Sequence, residues 1–406
     1  MESLRPVSEV VELEEAERRS RELEAILPPR ISPPFTGSFI RSATLYDEYV
    51  LRLTLGVFRA TGLAKAAATP GTTDELVARA GFEPGRARVP VDWMLRRLSH
   101  RGILEQREAE GGSRFQLRGA VPELDPAEIL ETQRRQDASW QPSYVLAETV
   151  AQDYPVFLRG ERTGEEVLFS PSRLRLWVNF FSNDNGLYVV NNLVGAAAVA
   201  ELMPPAPVVV MELGGGLGSG ATALLDELRR SGRWADVREY RFTELVPFFM
   251  RRGQQALETR FPDASFLKFG ALDMNLPFTG QGIAPGSVSL VYAVNTLHVA
   301  RDLDFTLREI FGALAPGGRL VVSECIRTAP AQAIYIEFIF NLMETFRSPV
   351  LHPPYRPNGG FLAPEEWQGA MEAAGFVDVR MLPDIPSLRG RFPHFQVGAV
   401  GATRPR

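Results

Sequence analysis

Lysine is almost absent from this sequence: of 44 basic residues, only Lys65 and Lys268 are not arginine. Neither sits in a phosphate-binding or Schiff-base setting, which argues against a P-loop and a covalent amine. Cysteine occurs once, as Cys325, so an internal disulfide and a CxxC-type metal cluster are excluded. Histidine is scarce too: His100, His298, His352 and His394 lie far apart, with no i, i+4 pair to hold zinc on a helix. No run of about 18 uninterrupted apolar residues is present. The most apolar stretch, Leu193 to Leu213, is broken by Glu201 and Pro204-Pro205. The first thirty residues are rich in Glu and Arg and lack the apolar centre of a signal peptide. A soluble, cytoplasmic protein with no membrane partner is expected.

What is present is globular in texture. The 406 residues are 45% apolar and 23% charged, enough for a full core and two or three domains. A net charge of −5 gives no global attraction to nucleic acid or anionic lipid.

Apolar positions at Val7, Val10, Leu13, Ala16, Leu23, Ile26 and Leu27 predict an amphipathic helix over 7–27, halted by Pro28-Pro29. It could pack on its own domain or on a second subunit, as in a homodimer. From Tyr46 to Leu117 the pattern is helix, turn, helix and wing. Thr72 and Glu75 form a capping box, Val91, Met94, Leu95 and Leu98 line a second helix, and two short strands flank Gly111-Gly112. That order resembles a winged helix and raises DNA binding through Arg86, Arg88, Arg96, Arg97 and Arg101. Trp93 and Met94 on the same helix and the acids Glu105, Glu108 and Glu110 on the wing oppose it, so nucleic acid is not the expected partner. Residues 119–204 read as mainly helical, with their many aromatics in the core.

After Pro207 the texture changes. Val208 to Leu213 is a short apolar run suited to a strand buried on both faces, and Gly214-Gly215-Gly216-Leu217-Gly218 leads directly into a helical segment. Alternating Gly214, Gly216 and Gly218 with Glu212 at the strand end suit a ligand bearing an amino-acid ammonium and no phosphate, such as S-adenosylmethionine. A second strand ends in Glu244, 26 residues after Gly218, where a carboxylate can accept both ribose hydroxyls. Further strands at Phe266–Gly270, Val288–Ala293 and Arg319–Glu324 alternate with helices, which implies a parallel, doubly wound sheet.

Tyr240 to Glu324 resembles the class I S-adenosylmethionine-dependent methyltransferases, and among them the C-methyltransferase domains of polyketide synthases. Phe242-Thr243-Glu244, Phe248-Phe249, Asn295-Thr296-Leu297-His298, Arg301-Asp302-Leu303, Leu314-Ala315-Pro316-Gly317-Gly318 and Glu324 carry the resemblance. Upstream, Leu158-Arg159-Gly160-Glu161 and Val167-Leu168-Phe169 continue it. Gly215 and Leu217 stand where that family usually has Ala and Thr, and Glu244 where Asp is more usual. The resemblance implies an α/β fold: a Rossmann-like sheet of seven strands, the last antiparallel, after a mainly helical, winged-helix-like domain. The expected division is 1–145 for that domain, 146–204 for a helical linker and lid, and 205–406 for the cofactor domain, with a lid insertion at 332–360.

The resemblance also implies the site. Glu212, Gly214, Gly216, Gly218, Glu244, Asp273 and Asn295 are the expected cofactor residues, with Asp273 facing the adenine amino group. His298 and Glu324 close neighbouring strands at one sheet edge, so imidazole can act as general base and carboxylate as its orienting partner. Tyr188 and the stripe holding Tyr335 and Phe338 are candidate substrate contacts. The expected reaction is methylation of an activated α-carbon on a small-molecule or carrier-bound acyl group, the carrier coming in trans. O-methylation of a hydroxyl or enol, a ligand-sensing regulator, and a non-methylating use of the fold stay open. No metal is expected, although His298, Glu324 and His352 could form a 2-His-1-carboxylate site.

Overall fold

A computed structural model describes residues 10–110, 112–330, 332–392 and 395–406. Val7, Gly111 and His394, which enter the sequence reading, lie outside the described residues. The chain divides into two units. One takes the described residues within Met1–Arg21, Thr36–Phe180 and Gln332–Arg347, the other those within Glu22–Phe35, Phe181–Ala331 and Ser348–Arg406. This division differs from the expected one. Residue 145 falls inside the helix Gln141–Leu158, and Gln332–Arg347 joins the first unit. The leading helix is also shorter than its apolar pattern, running Leu13–Ile26.

In the first unit the capping box forms as read. Thr72 Oγ1 accepts the Glu75 N–H at 3.3 Å and Glu75 Oε2 accepts the Thr72 N–H at 3.2 Å, starting the helix Thr73–Arg79. The second helix, Pro84–His100, leads into a hairpin. Strands β1 (Gly71–Thr72), β2 (Leu104–Ala109) and β3 (Gly112–Leu117) pair antiparallel in the order β1-β3-β2. The five arginines that raised DNA binding all have protein partners. Arg97 and Arg101 bind Asp47, Arg88 binds Asp74, Arg96 binds Asp92, and Arg86 donates to the Gly160 carbonyl.

The stripe expected as a lid helix is instead two single turns, Glu337–Phe340 and Glu344–Arg347, in the core of the first unit. Tyr335 meets Tyr46 edge-on with centroids 5.5 Å apart, and Phe338 lies 4.8 Å from Tyr154. Trp93 donates to the Ile334 carbonyl at 3.1 Å and Tyr154 to that of Phe338 at 2.6 Å. Apolar and aromatic surface of this size must be buried somewhere, and here it closes the core.

The second unit is built on seven strands: β4 (Val208–Leu213), β5 (Val237–Thr243), β6 (Leu267–Gly270), β7 (Val288–Val294), β8 (Leu314–Cys325), β9 (Val377–Leu382) and β10 (Val397–Thr403). Their order is β6-β5-β4-β7-β8-β10-β9. Only β10 runs antiparallel to its neighbours, as expected of the last strand. All six residues of β4 are buried, which explains its unalternating apolar run. β8 begins at Leu314 and takes in the Pro316-Gly317-Gly318 break, with a register shift between Val288 and Leu290 on β7. Strand order reverses at β4 and β7, so ligands belong at the carboxyl ends of these strands and their neighbours. Among the described residues no helix is long and apolar enough to cross a membrane.

Candidate functional site

The glycine turn leaves β4 at Leu213 and enters the helix Ser219–Arg230. Gly214, Gly216 and Gly218 have φ of 61°, 56° and 83°, the left-handed region in which glycine carries no Cβ penalty. Glu244, buried at the end of β5, reaches back to this turn. Its Oε2 accepts the Gly216 N–H at 2.9 Å and its Oε1 the Val246 N–H at 2.7 Å. The carboxylate is thus held beside the turn, with lone pairs remaining on both oxygens.

Glu212 is buried under the turn. Tyr240 donates to its Oε2 at 2.9 Å. Burial pushes its carboxyl up to about 8; the Tyr240 hydroxyl opposes this and the nearby Glu244 carboxylate adds to it. Asn192 of the helix Val189–Leu202 and Asn183, which precedes that helix, were not singled out in the sequence. Asn192 donates to Asn183 Oδ1 at 2.7 Å, and Asn183 donates to the Ser219 carbonyl at 2.9 Å. This relay fixes the Asn192 amide so that Oδ1 is buried without a donor. A Cβ on Gly220 would lie 3.0 Å from Glu212 Oε1 and 3.7 Å from Asn192 Oδ1, so two acceptors converge at the start of the helix.

His298 occupies the turn Leu297–Val299 just after β7, and Glu324 lies near the end of β8. His298 Nδ1 is 2.7 Å from Glu324 Oε2, with the histidine side chain 4% exposed and Glu324 fully buried. Glu324 Oε1 accepts the N–H groups of Thr296, Leu297 and His298 at 3.0, 2.9 and 3.3 Å. One oxygen therefore grips the turn that carries the histidine while the other meets its ring. Phe361 lies against the imidazole, ring centroids 4.3 Å apart. Thr296 joins this turn to the glycines, its hydroxyl donating to the Gly214 carbonyl at 3.3 Å.

The other expected residues divide. Tyr188 is close enough to Glu212, Cys325, Glu324 and Glu244 that, after desolvation, they hold its hydroxyl above the ordinary range. Its ring lies 5.3 Å from that of Phe181. Asn295, at φ 47°, turns its amide oxygen to the Cys325 N–H at 3.1 Å and so ties the ends of β7 and β8. Asp273, beyond β6, caps a local turn by accepting the Asn275 backbone N–H at 2.9 Å and side-chain amide at 3.0 Å. Tyr335 and Phe338 are core residues of the first unit. The metal alternative is not assembled. His352 Nε2 pairs with Asp302 at 2.9 Å, and among the described residues the one set of three such groups within reach of each other is Asp302, Asp304 and His352. Tyr355 and Arg308 already occupy Asp304.

Comparison with known proteins bears on this geometry. A family model described as a methyltransferase domain matches residues 211–320. The polyketide synthase PksR of Bacillus subtilis is 26% identical over 251 residues, covering 59% of this chain and 9% of that protein. The polyketide synthase ThaQ of Burkholderia thailandensis is 28% identical over 352 residues, covering 82% of this chain and 16% of that protein. The chain thus spans a small part of these relatives' length. The crystal structure of the CurJ carbon methyltransferase superposes with a TM-score of 0.73 at 21% identity, covering 96% of this chain and 99% of that one. The trans-methyltransferase CalH, solved in complex with SAH, gives 0.58 at 18% identity over 90% and 91%.

Proposed function

We propose that this chain, whose residues 211–320 are a methyltransferase domain set in the fold of the carbon methyltransferases, methylates an activated α-carbon with His298 as general base. The observation that carries this reading is the 2.7 Å contact between His298 Nδ1 and Glu324 Oε2 beside the glycine turn. The acceptor is an acyl group with an acidic α-carbon, such as a β-ketoacyl thioester, presented free or on a separate carrier. Similarity to polyketide synthases and to a trans-methyltransferase supports that class.

Bound S-adenosylmethionine supplies an electrophilic methyl group on a sulfonium. The residues here fit such a cofactor. Glu212 Oε1 and Asn192 Oδ1 offer converging acceptors for its ammonium, and the latter otherwise lacks a donor. The bare glycine turn would admit the ligand closely, Glu244 would accept the ribose hydroxyls, and Asp273 would take the adenine amino group.

Glu324 accepts a hydrogen bond from Nδ1–H, which leaves the Nε2 lone pair as the base. The α C–H bond would break, its proton going to Nε2 and its electron pair to the carbon–methyl bond that forms as the methyl–sulfur bond gives way, the latter's pair staying with S-adenosylhomocysteine. Glu324 then faces the imidazolium and stabilises it. Asn295, its oxygen committed to Cys325, has amide hydrogens to offer an enolate oxygen. Tyr188 lines the acceptor side.

The test is incubation with isotopically labelled S-adenosylmethionine and a β-ketoacyl thioester, followed by mass spectrometry and NMR. Label on the α-carbon, lost in His298→Ala while S-adenosylhomocysteine still binds, is the expected result. Label on oxygen overturns the carbon assignment, and wild-type turnover in His298→Ala overturns the base.

A further inference from the structure

Arg356 is a buried charge without an ordinary reason to be there. Its side chain is 0% exposed, yet no carboxylate among the described residues lies within ion-pair distance of it. Its Nε has no acceptor. Taking a guanidinium out of water without a counterion costs several kcal/mol. Even so it remains cationic at neutral pH, since burial lowers it only to about 10. Among the described residues its side chain donates to the turn bearing the base: Nη2 to the His298 carbonyl at 2.8 Å and Nη1 to that of Ala300 at 3.3 Å. Glu324 takes the N–H groups of this turn and Arg356 takes its carbonyls, so the turn is held by one charge of each sign.

We propose that Arg356 is a positioning residue for the base, gripping the His298 and Ala300 carbonyls so that the imidazole is held in one orientation toward the acceptor. The inference rests on His298 being that base. Glu324 holds the same turn by its N–H groups, so loss of Arg356 releases one side of the turn and leaves the other tied.

The experiment pairs steady-state kinetics with amide hydrogen exchange of the His298 turn on wild type, Arg356→Lys and Arg356→Met. In Arg356→Lys, which keeps the charge and loses the two-carbonyl fork, and in Arg356→Met, kcat falls about tenfold while the KM for S-adenosylmethionine does not change, and the N–H groups of Thr296, Leu297 and His298 exchange about tenfold faster. Arg356→Gln replaces the methionine variant should that one melt below the assay temperature. Wild-type kcat in the folded variants overturns the inference, as does unchanged exchange at the turn. Wild-type turnover in His298→Ala would instead overturn the base, while exchange at the turn still reports what Arg356 does to it.

Discussion

The ring of Phe242 occupies the space that a side chain on Gly215 would need: a Cβ there would come 2.3 Å from the ring. Phe242 is buried on β5 with Phe269 5.8 Å away, so the ring has little freedom to withdraw. Gly253 makes the same accommodation, its Cβ position lying 2.7 Å from the ring. The resembled family usually has alanine where Gly215 stands. In this chain a bulky neighbour on β5 requires the smaller residue.

Gly215→Ala is therefore expected to lower the melting temperature and to weaken S-adenosylhomocysteine binding roughly tenfold, the penalty of overpacking. Phe242→Leu in the same chain should recover most of the binding. Gly214→Ala should not be recoverable this way. Its φ of 61° is itself unfavourable, and its Cβ would meet the Thr296 methyl at 2.4 Å. Calorimetric titration of the three variants checks this; wild-type affinity in Gly215→Ala would contradict the packing argument.

Glu324→Gln should cost turnover through the imidazole tautomer rather than through shape. With the glutamine oxygen accepting the three turn N–H groups, its amide nitrogen faces His298 Nδ1. Nδ1 then has to accept, the ring proton moves to Nε2, and the basic lone pair is lost. A fall of about 10²–10⁴ in kcat is expected, with the fold and S-adenosylhomocysteine affinity kept. Nitrogen NMR reads the tautomer directly, and a variant with Nδ1 still protonated would refute the explanation.

Glu212 should make cofactor binding release protons. Its carboxyl is raised to about 8, so near pH 7 the ligand-free protein holds it largely protonated. A ligand ammonium favours the ionised form, and the proton leaves for the buffer. Calorimetry of S-adenosylhomocysteine in buffers of different ionisation enthalpy should detect close to one proton released at pH 7, falling toward none above pH ~9. The same shift affects stability. A carboxyl raised in the folded state contributes fully below its ordinary value of 4.5, and that contribution is lost as pH rises through about 8. Glu212→Gln should flatten both dependences, and an unchanged slope would show that another group is responsible.

Legibility in the sequence followed how local each signal was. Val208 to Leu213 forms the strand read from it because burial on both faces writes itself as an unbroken apolar run. His298 and Glu324 could be paired because both close strands of one parallel sheet, which puts them at one edge. The Asn183–Asn192 relay and Arg356 were not legible: one depends on how a helix crosses the glycine turn, the other on a loop 58 residues beyond His298. The stripe that runs from Ile334 through Tyr335 and Phe338 misled because helical spacing of apolar residues says that a surface is buried, not against what. Here the burial breaks it into two short turns.

The arginine-rich helix of the first unit carries the last prediction. Asp47 on the helix Gly37–Ala60 accepts from both Arg97 and Arg101, the latter at 2.7 Å, and all three side chains are at least nine-tenths buried. Charges placed so deeply are spent inside the protein and cannot face phosphates. Removing the shared acid leaves the Arg97 guanidinium without its carboxylate and Arg101 with Glu48 at 3.8 Å, and breaking a buried pair typically costs about 3–5 kcal/mol. Asp47→Asn should lower the urea midpoint accordingly, and Arg97→Met added to it should recover part of the loss by deleting one uncompensated charge. A double variant no more stable than Asp47→Asn would mean that the asparagine damages packing of the Tyr46–Tyr144 cluster, whose rings lie 5.1 Å apart beside it in sequence, rather than charge balance.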